Sequence, residues 1–346
     1  MGTRRPRAMR TELGRIAALS QHVEVERSSL RRTHTSWRQQ SAAGATASPP
    51  DAQSRGRDDD CRMGAGSFPT DAERSAATVH AGSARLLLAA TRAVDTGART
   101  LRGGRSHIGA LIGKGDRDFA TDVDLRIESE VRASLAEATP EIPFLGEEEG
   151  DGAELGEARW VLDPIDGTVN FAHGSPLCSI SLSLVLGGQP VLGIVDAPLL
   201  GERFTARSGG GAYLNGARIS VAEVPGLHEA IVGVADFKVG AGSEDENRVH
   251  LAALGRLAHE SLRVRMLGSA ALDLAWLAAG RLNATLMLSN LPWDVTAGLL
   301  LAREAGGIVF DYDGSEHDAD SRYTLAAVPS LVNAVRTIVV ESELRP

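Results

Sequence analysis

Residues 160–171 read Trp-Val-Leu-Asp-Pro-Ile-Asp-Gly-Thr-Val-Asn-Phe. The apolar run Trp160–Leu162 stops at Asp163, Asp166 follows across Pro164, and the small pair Gly167-Thr168 comes next. This is the pattern of a strand that delivers two carboxylates and a backbone turn to one point. Carboxylate oxygens suit hard cations such as Mg²⁺, and a Gly-Thr turn offers N–H groups to an anion. The chemistry such a stretch would support is a metal-assisted phosphate site.

Two further acids stand at the ends of apolar segments. Glu147 follows Ile142–Leu145 in the run Gly146-Glu-Glu-Glu-Gly150, and Asp294 follows Pro292-Trp293. Taken singly, each reads as a surface acid, and Asp294 also reads as a plain helix N-cap. Taken together they read differently. Two carboxylates about 4 Å apart repel by about 4 kcal/mol at an effective dielectric of 20, so a convergence of four calls for cations between them.

The elements that must position these acids follow from periodicity. Order is expected to begin near Thr70-Asp71, with Asp71 as N-cap and Ala76, Val79, Ala84, Leu87, Leu88 and Val94 at helical spacing. Gly103-Gly104 ends that helix. A second amphipathic helix is predicted over 123–138, with Val123, Ile127, Val131 and Leu135 on one stripe. From 177 onward, alternation predicts strands through 178–185, 190–196 and 209–221, with a turn at Asn215-Gly216. Helices are predicted over 246–260, 269–280, from Asp294 to Ala305 and near 329–337. Gly306-Gly307 provides the stop for the third of these. Helices mixed with antiparallel-looking strands indicate a layered α/β or α+β domain.

Composition narrows the classes. The chain has 346 residues, 43% hydrophobic but only 4% aromatic, so Ala, Leu and Val must fill the core. Residues 1–63 hold twelve Arg, no Lys and seven acids, a net of +5; the chain's total is −9, so the remainder carries −14. An acidic body argues against nucleic-acid binding. Residues 1–69, rich in Arg and Ser and poor in large apolar residues, are expected to be a disordered leader, with Met63 as an alternative start; residues 70–346 are expected to be the folded domain. Cys61 and Cys178 show neither zinc spacing nor a disulfide framework, which fits a reducing, cytoplasmic setting. No apolar run reaches the ~18 residues of a membrane span. There is no Walker-type loop, no strand-borne Gly-x-Gly-x-x-Gly and no Gly-x-Ser-x-Gly elbow, so nucleotide-dependent kinases, dehydrogenases and serine hydrolases find no support.

Three separated motifs then carry a resemblance over residues 73–340: Gly146-Glu147-Glu148, Asp163-Pro-Ile-Asp-Gly-Thr-Val-Asn-Phe171, and Trp293-Asp-Val-Thr-Ala-Gly298 running into Glu304-Ala-Gly-Gly307. Phe119–Asp124, Ala206–Gly216 and Gly268–Asp273 support them. In this order the motifs resemble the inositol monophosphatase family, Mg²⁺-dependent and lithium-sensitive phosphomonoesterases, in its bacterial, actinobacterial-type form. The resemblance implies an αβαβα sandwich of the sugar-phosphatase type, a homodimer, and two or three Mg²⁺ ions. It implies one ion held by Glu147, Asp163 and the Ile165 carbonyl, and a second held by Asp163, Asp166 and Asp294. It implies that Thr168 and Glu147 orient a water, that Asp122 buttresses Thr168, and that the Gly167 and Thr168 N–H groups hold phosphate. Asp166, Asp294 and Gly268-Ser269-Ala270 would face the substrate, and Lys114 lies in a loop that closes over the metals in relatives.

One position departs from the pattern. Relatives that cleave inositol phosphates carry an acid seven residues before the Asp294 position, where this chain has Met287. A thioether is a poor acceptor for a sugar hydroxyl; Ser289 and Asn290 are the neighbouring polar substitutes. The expected substrate is a small phosphorylated polyol or sugar, inositol 1-phosphate by default, with histidinol phosphate, fructose 1,6-bisphosphate and 3′-phosphoadenosine 5′-phosphate as alternatives. A non-catalytic binding role is the alternative from another class.

Overall fold

The computed structural model describes residues 71–104, 112–113, 119–148, 158–288, 291–318, 321 and 323–344, with side chains from residue 84 onward apart from 112, 113 and 119. The expected leader, Cys61, Lys114, Ser289 and Asn290 lie outside the described residues. Arg85–Pro346 form one compact unit; residues 8–84 are grouped apart from it, and of these only the start of one helix is described.

That helix, α1 (Asp71–Gly104), ends at the glycine pair expected to stop it. A short antiparallel pair, β1 (Ile112–Gly113) and β2 (Phe119–Ala120), leads to α2 (Asp122–Ala138). Thr121 starts α2 with a capping box. Its hydroxyl accepts from the Val123 and Asp124 N–H groups, and its own N–H donates to the Asp124 carboxylate at 2.9 Å.

The first sheet then forms. β3 (Phe144–Gly146) runs parallel to β4 (Ala158–Asp166), and the short α3 (Thr168–Ala172) follows. An antiparallel meander continues through β5 (Ser179–Leu186), β6 (Gln189–Ala197), β7 (Glu202–Arg207), β8 (Gly211–Leu214) and β9 (Ala217–Ile219). The seven strands lie in sequence order, β3 to β9. β5 is buried along its whole length, so its small serines alternate with Ile and Leu between two covered faces.

The second sheet draws on β10 (Ile231–Val234), β11 (Arg263–Arg265), β12 (Ala284–Met287), β13 (Ile308–Phe310) and β14 (Thr324–Ala327), in the order β11-β10-β12-β14-β13. Its helices are α4 (Glu244–Glu260), α5 (Ala270–Ala278), α6 (Pro292–Glu304) and α7 (Val332–Glu343). α5 and α6 pack on each other; α6 also covers the seven-stranded sheet, and α5 touches β12. Val195, Phe204, Leu272, Leu274, Leu300 and Val309 share this central core. α4 and α7 cover the other face of the five-stranded sheet through Val249, Leu257, Val335 and Ile338. α2 packs on β4. The layers therefore run α/β/α/β/α, as expected. Each fully buried Leu or Val is worth about 1.5–3 kcal/mol, so the central helices are anchored by packing and not by propensity. Among the described residues, no helix is long and apolar enough to cross a membrane.

β4 carries both Asp163 and Asp166. Two local expectations need correction. α6 begins at Pro292, two residues before Asp294, because proline suits the first helical position. The last helix is Val332–Glu343, preceded by a 3₁₀ turn at Pro329–Leu331, so it starts later and extends further than 329–337.

Candidate active site

β4 carries the first two acids, and its irregular end decides how they face. Asp163 pairs with Ser181 and Asp166 with Ser179, three residues on one strand against two on the other. In a regular strand, residues three apart point to opposite faces. The extra residue of this bulge brings both acids to the same side. That side faces α6: the Ser181 hydroxyl donates to the Trp293 carbonyl at 3.1 Å, and Ser183 and Thr296 hydroxyls lie 2.6 Å apart.

Asp163 is buried, and its Oδ1 has no hydrogen-bond partner. Burial pushes its carboxyl well above the usual range, and the charges of Glu147, Asp166 and Asp294 push it in the same direction. Glu147 is within hydrogen-bonding reach of it. A buried carboxylate oxygen without a bond, pushed on by the charges of three other acids, has the chemistry that a hard divalent cation would relieve.

Asp166 is held differently. It accepts from the Ser269 hydroxyl, from the Ala270 N–H at 3.1 Å and from the Ala271 N–H at 2.8 Å. It thus sits on the positive N-terminus of α5. Burial still raises its pKa to about 6, against these bonds. Among the described residues, no three His, Cys, Asp or Glu side chains stand close enough to hold an ion as they are. Both oxygens of Asp166 are bonded at the start of α5.

Glu147 projects from the end of β3, where its N–H donates to the Leu162 carbonyl at 3.2 Å. Asp294 is the third residue of α6 and half-buried; the N-cap is Leu291, so Asp294 is not merely a cap. Gly167 has φ +91°, and a Cβ there would lie 2.9 Å from both the Leu177 and Gly268 carbonyl oxygens. Only glycine fits. Asn170 fastens the same junction, its Nδ2 donating to Leu177 O at 2.8 Å and Leu267 O at 2.7 Å. This brings the Gly167-Thr168 turn beside Gly268-Ser269-Ala270.

Thr168 Oγ1 lies 3.2 Å from Asp124 Oδ1 and 3.0 Å from the Ile165 carbonyl. The expected buttress, Asp122, does not serve: it is exposed on the first turn of α2 and lines a polar groove with Arg99, Arg126 and Glu130. The acid within reach of Thr168 is Asp124, buried at the third position of α2, where Thr121 fixes its other oxygen. Burial raises the Asp124 pKa, partly offset by its bonds to Thr121 and Thr168.

Sequence reasoning also missed Glu128 and Asp273. Asp124 and Glu128 fall at i and i+4 on the same stripe as Ile127, Val131 and Leu135, and both are buried. Acids on the apolar stripe of a helix were the available signal. Asp273, on α5, is fully buried with neither carboxylate oxygen bonded. Burial lifts its pKa well above the usual range, with smaller contributions from Asp166 and Asp236. Met287 is 1% exposed and part of the central core.

Residues 76–342 match the model of the inositol monophosphatase family. The chain belongs to that family. Inositol-1-monophosphatase ImpA of Mycolicibacterium smegmatis is 39% identical over 230 residues, spanning 66% of this chain and 83% of that protein. A Thermotoga maritima protein named fructose-1,6-bisphosphatase/inositol-1-monophosphatase is 37% identical over 208 residues, 60% of this chain and 77% of its own length. Among solved structures, Thermotoga maritima IMPase superposes with a TM-score of 0.67 at 32% identity, covering 72% of this chain and 95% of that one. As a family member the chain is a phosphoric monoester hydrolase.

Proposed function

We propose that the chain is a Mg²⁺-dependent phosphomonoesterase acting on a small phosphorylated polyol or sugar, with inositol 1-phosphate as the first substrate to test. The observation that carries this reading is Asp163: buried, orphaned at Oδ1, and crowded by Glu147, Asp166 and Asp294. Glu147, Asp163 and the Ile165 carbonyl would hold one ion; Asp163, Asp166 and Asp294 would hold a second. When bound, Mg²⁺ polarises a phosphoryl oxygen and makes a water more acidic.

The chain's own groups complete the chemistry. Thr168 Oγ1, within reach of Asp124 Oδ1, orients the attacking water together with Glu147. A raised pKa makes Asp124 a better proton acceptor than an ordinary aspartate. The Gly167 and Thr168 N–H groups receive phosphate oxygens as a small nest. Ser269 and Ala270, which bond Asp166 at the start of α5, would meet a hydroxyl of the leaving group. Met287 offers that hydroxyl nothing, which favours substrates that need no acid there. The remaining parts of the reading rest on family resemblance: a cytoplasmic homodimer, sensitivity to lithium, two or three ions, and a catalytic domain over residues 70–346.

The test is phosphate release with and without Mg²⁺ from inositol 1-phosphate, fructose 1,6-bisphosphate, histidinol phosphate and 3′-phosphoadenosine 5′-phosphate. Mg²⁺-dependent release that disappears in Asp163→Asn supports the reading. Full activity in Asp163→Asn would sink it.

A further inference from the structure

The Gly146-Glu147-Glu148 turn is gripped by a residue outside the acidic motifs. The Glu128 side chain is 0% exposed, although glutamate is almost never fully buried unless paired. Its contacts explain the burial. Arg132 Nη2 lies 2.8 Å from Glu128 Oε1, one turn along α2. The Glu148 N–H donates to Glu128 Oε2 at 2.9 Å. The carboxyl group also fills the space above Gly146, where a Cβ would lie 2.2 Å from both Cδ and Oε1. Arg132 in turn places its guanidinium 4.4 Å from the centre of the Phe144 ring.

α2 therefore holds the chain on both sides of Glu147: at Phe144 and Gly146 before it, at the Glu148 N–H after it. Glu147's own N–H is tied to Leu162. The backbone from which the Glu147 carboxylate hangs is fixed at each of three successive residues. A ligand held on a fixed backbone loses less freedom when it binds an ion, so the ion binds more tightly.

We propose that Glu128 is a positioning residue that sets the cation affinity of Glu147. This rests on the reading of Glu147 as a metal ligand, and the controls separate the two. The probe is Mn²⁺, titrated into the full chain and followed by the electron paramagnetic resonance of the free ion, alongside phosphate release against Mg²⁺ concentration. Glu128→Gln keeps an acceptor for the Glu148 N–H but loses the ion pair with Arg132. It is expected to weaken Mn²⁺ binding and raise the half-activating Mg²⁺ concentration, each by roughly tenfold. At saturating Mg²⁺, kcat is expected to stay within about twofold of wild type.

Arg132→Lys, which keeps the charge but loses the planar contact with Phe144, is expected to shift both in the same direction by less. It decides the matter if Glu128→Gln does not fold. Unchanged Mn²⁺ affinity in these variants, with activity lost through kcat or through melting, would overturn the proposal. Glu147→Gln is the control: if it too binds Mn²⁺ like wild type, the reading of Glu147 as a ligand fails instead.

Discussion

The Thr168 hydroxyl lies 3.2 Å from Asp124 Oδ1, while Asp122, two residues earlier, is exposed. The two acids stand about 200° apart around α2 and should differ sharply in function. Asp124→Asn is expected to lower kcat by about 10²–10⁴-fold, the usual contribution of a positioned acid or base. Asp122→Asn should leave kcat within about twofold of wild type, since exposed surface changes have small effects. Phosphate release by the two purified variants checks the pair, and equal losses would reject the assignment.

Metal-free stability should fall as pH rises. Burial holds the pKa values of Asp163 and Asp166 above the unfolded value of 3.8, that of Asp166 at about 6. The native state therefore binds more protons than the unfolded state, and stability is lost from the unfolded pKa upward through the folded one. Mg²⁺ competes with those protons, so it should stabilise more at pH 8 than at pH 5.5. At a hundred times its dissociation constant the gain is about 2.7 kcal/mol, or roughly 5–10 °C in Tm for a domain of this size. Thermal melts in EDTA and in Mg²⁺ at both pH values measure this; a larger Mg²⁺ effect at pH 5.5 would contradict it.

Asp273→Asn should stabilise the protein, and more so at high pH. The wild-type carboxyl is buried with both oxygens unbonded, and its pKa is raised well above the ordinary value. An amide removes the cost of ionising in that place. The difference in Tm between variant and wild type should widen from pH 5 to pH 8. A constant difference would show that Asp273 does not titrate inside the fold.

Gly167→Ala should unfold the junction of β4, α3 and α5. Its φ of +91° and the two carbonyl oxygens 2.9 Å from a Cβ leave no room for a methyl group. Backbone strain of this kind costs roughly 1–3 kcal/mol before any clash is relieved. Denaturant melts should show the midpoint moving down with an unchanged slope, and a Tm equal to wild type would refute the argument.

Much of this was legible in the sequence, for reasons that can be stated residue by residue. The helices α2, α4 and α5 and a layered α/β domain follow from apolar stripes and stop signals that packing reinforces, while the five-layer order came only with the family resemblance. Glu147, Asp163, Asp166 and Asp294 stand out only as a set, each at the end of an apolar run and each within one of three ordered motifs. What stayed hidden depends on register. The bulge between Asp163 and Asp166 adds a residue that no local pattern announces, because it exists only relative to Ser179 and Ser181. The exchange of Asp122 for Asp124 turns on where α2 begins, and helix ends are the least determined feature of a sequence. Glu128 was missed because it acts on Gly146, eighteen residues away, through space that only a missing side chain provides.

Met287 carries a consequence for how this chain's selectivity can change. It is sealed in the central core among the α5 and α6 side chains. A glutamate there would need a hydroxyl partner or solvent, and an unpaired buried carboxylate costs several kcal/mol. Gaining a sugar contact at that position therefore cannot proceed through one substitution; the core around α5 must loosen first. The packing acts as a ratchet: for the activity proposed above, it constrains the choice of leaving group from the interior of the protein as well as from its mouth.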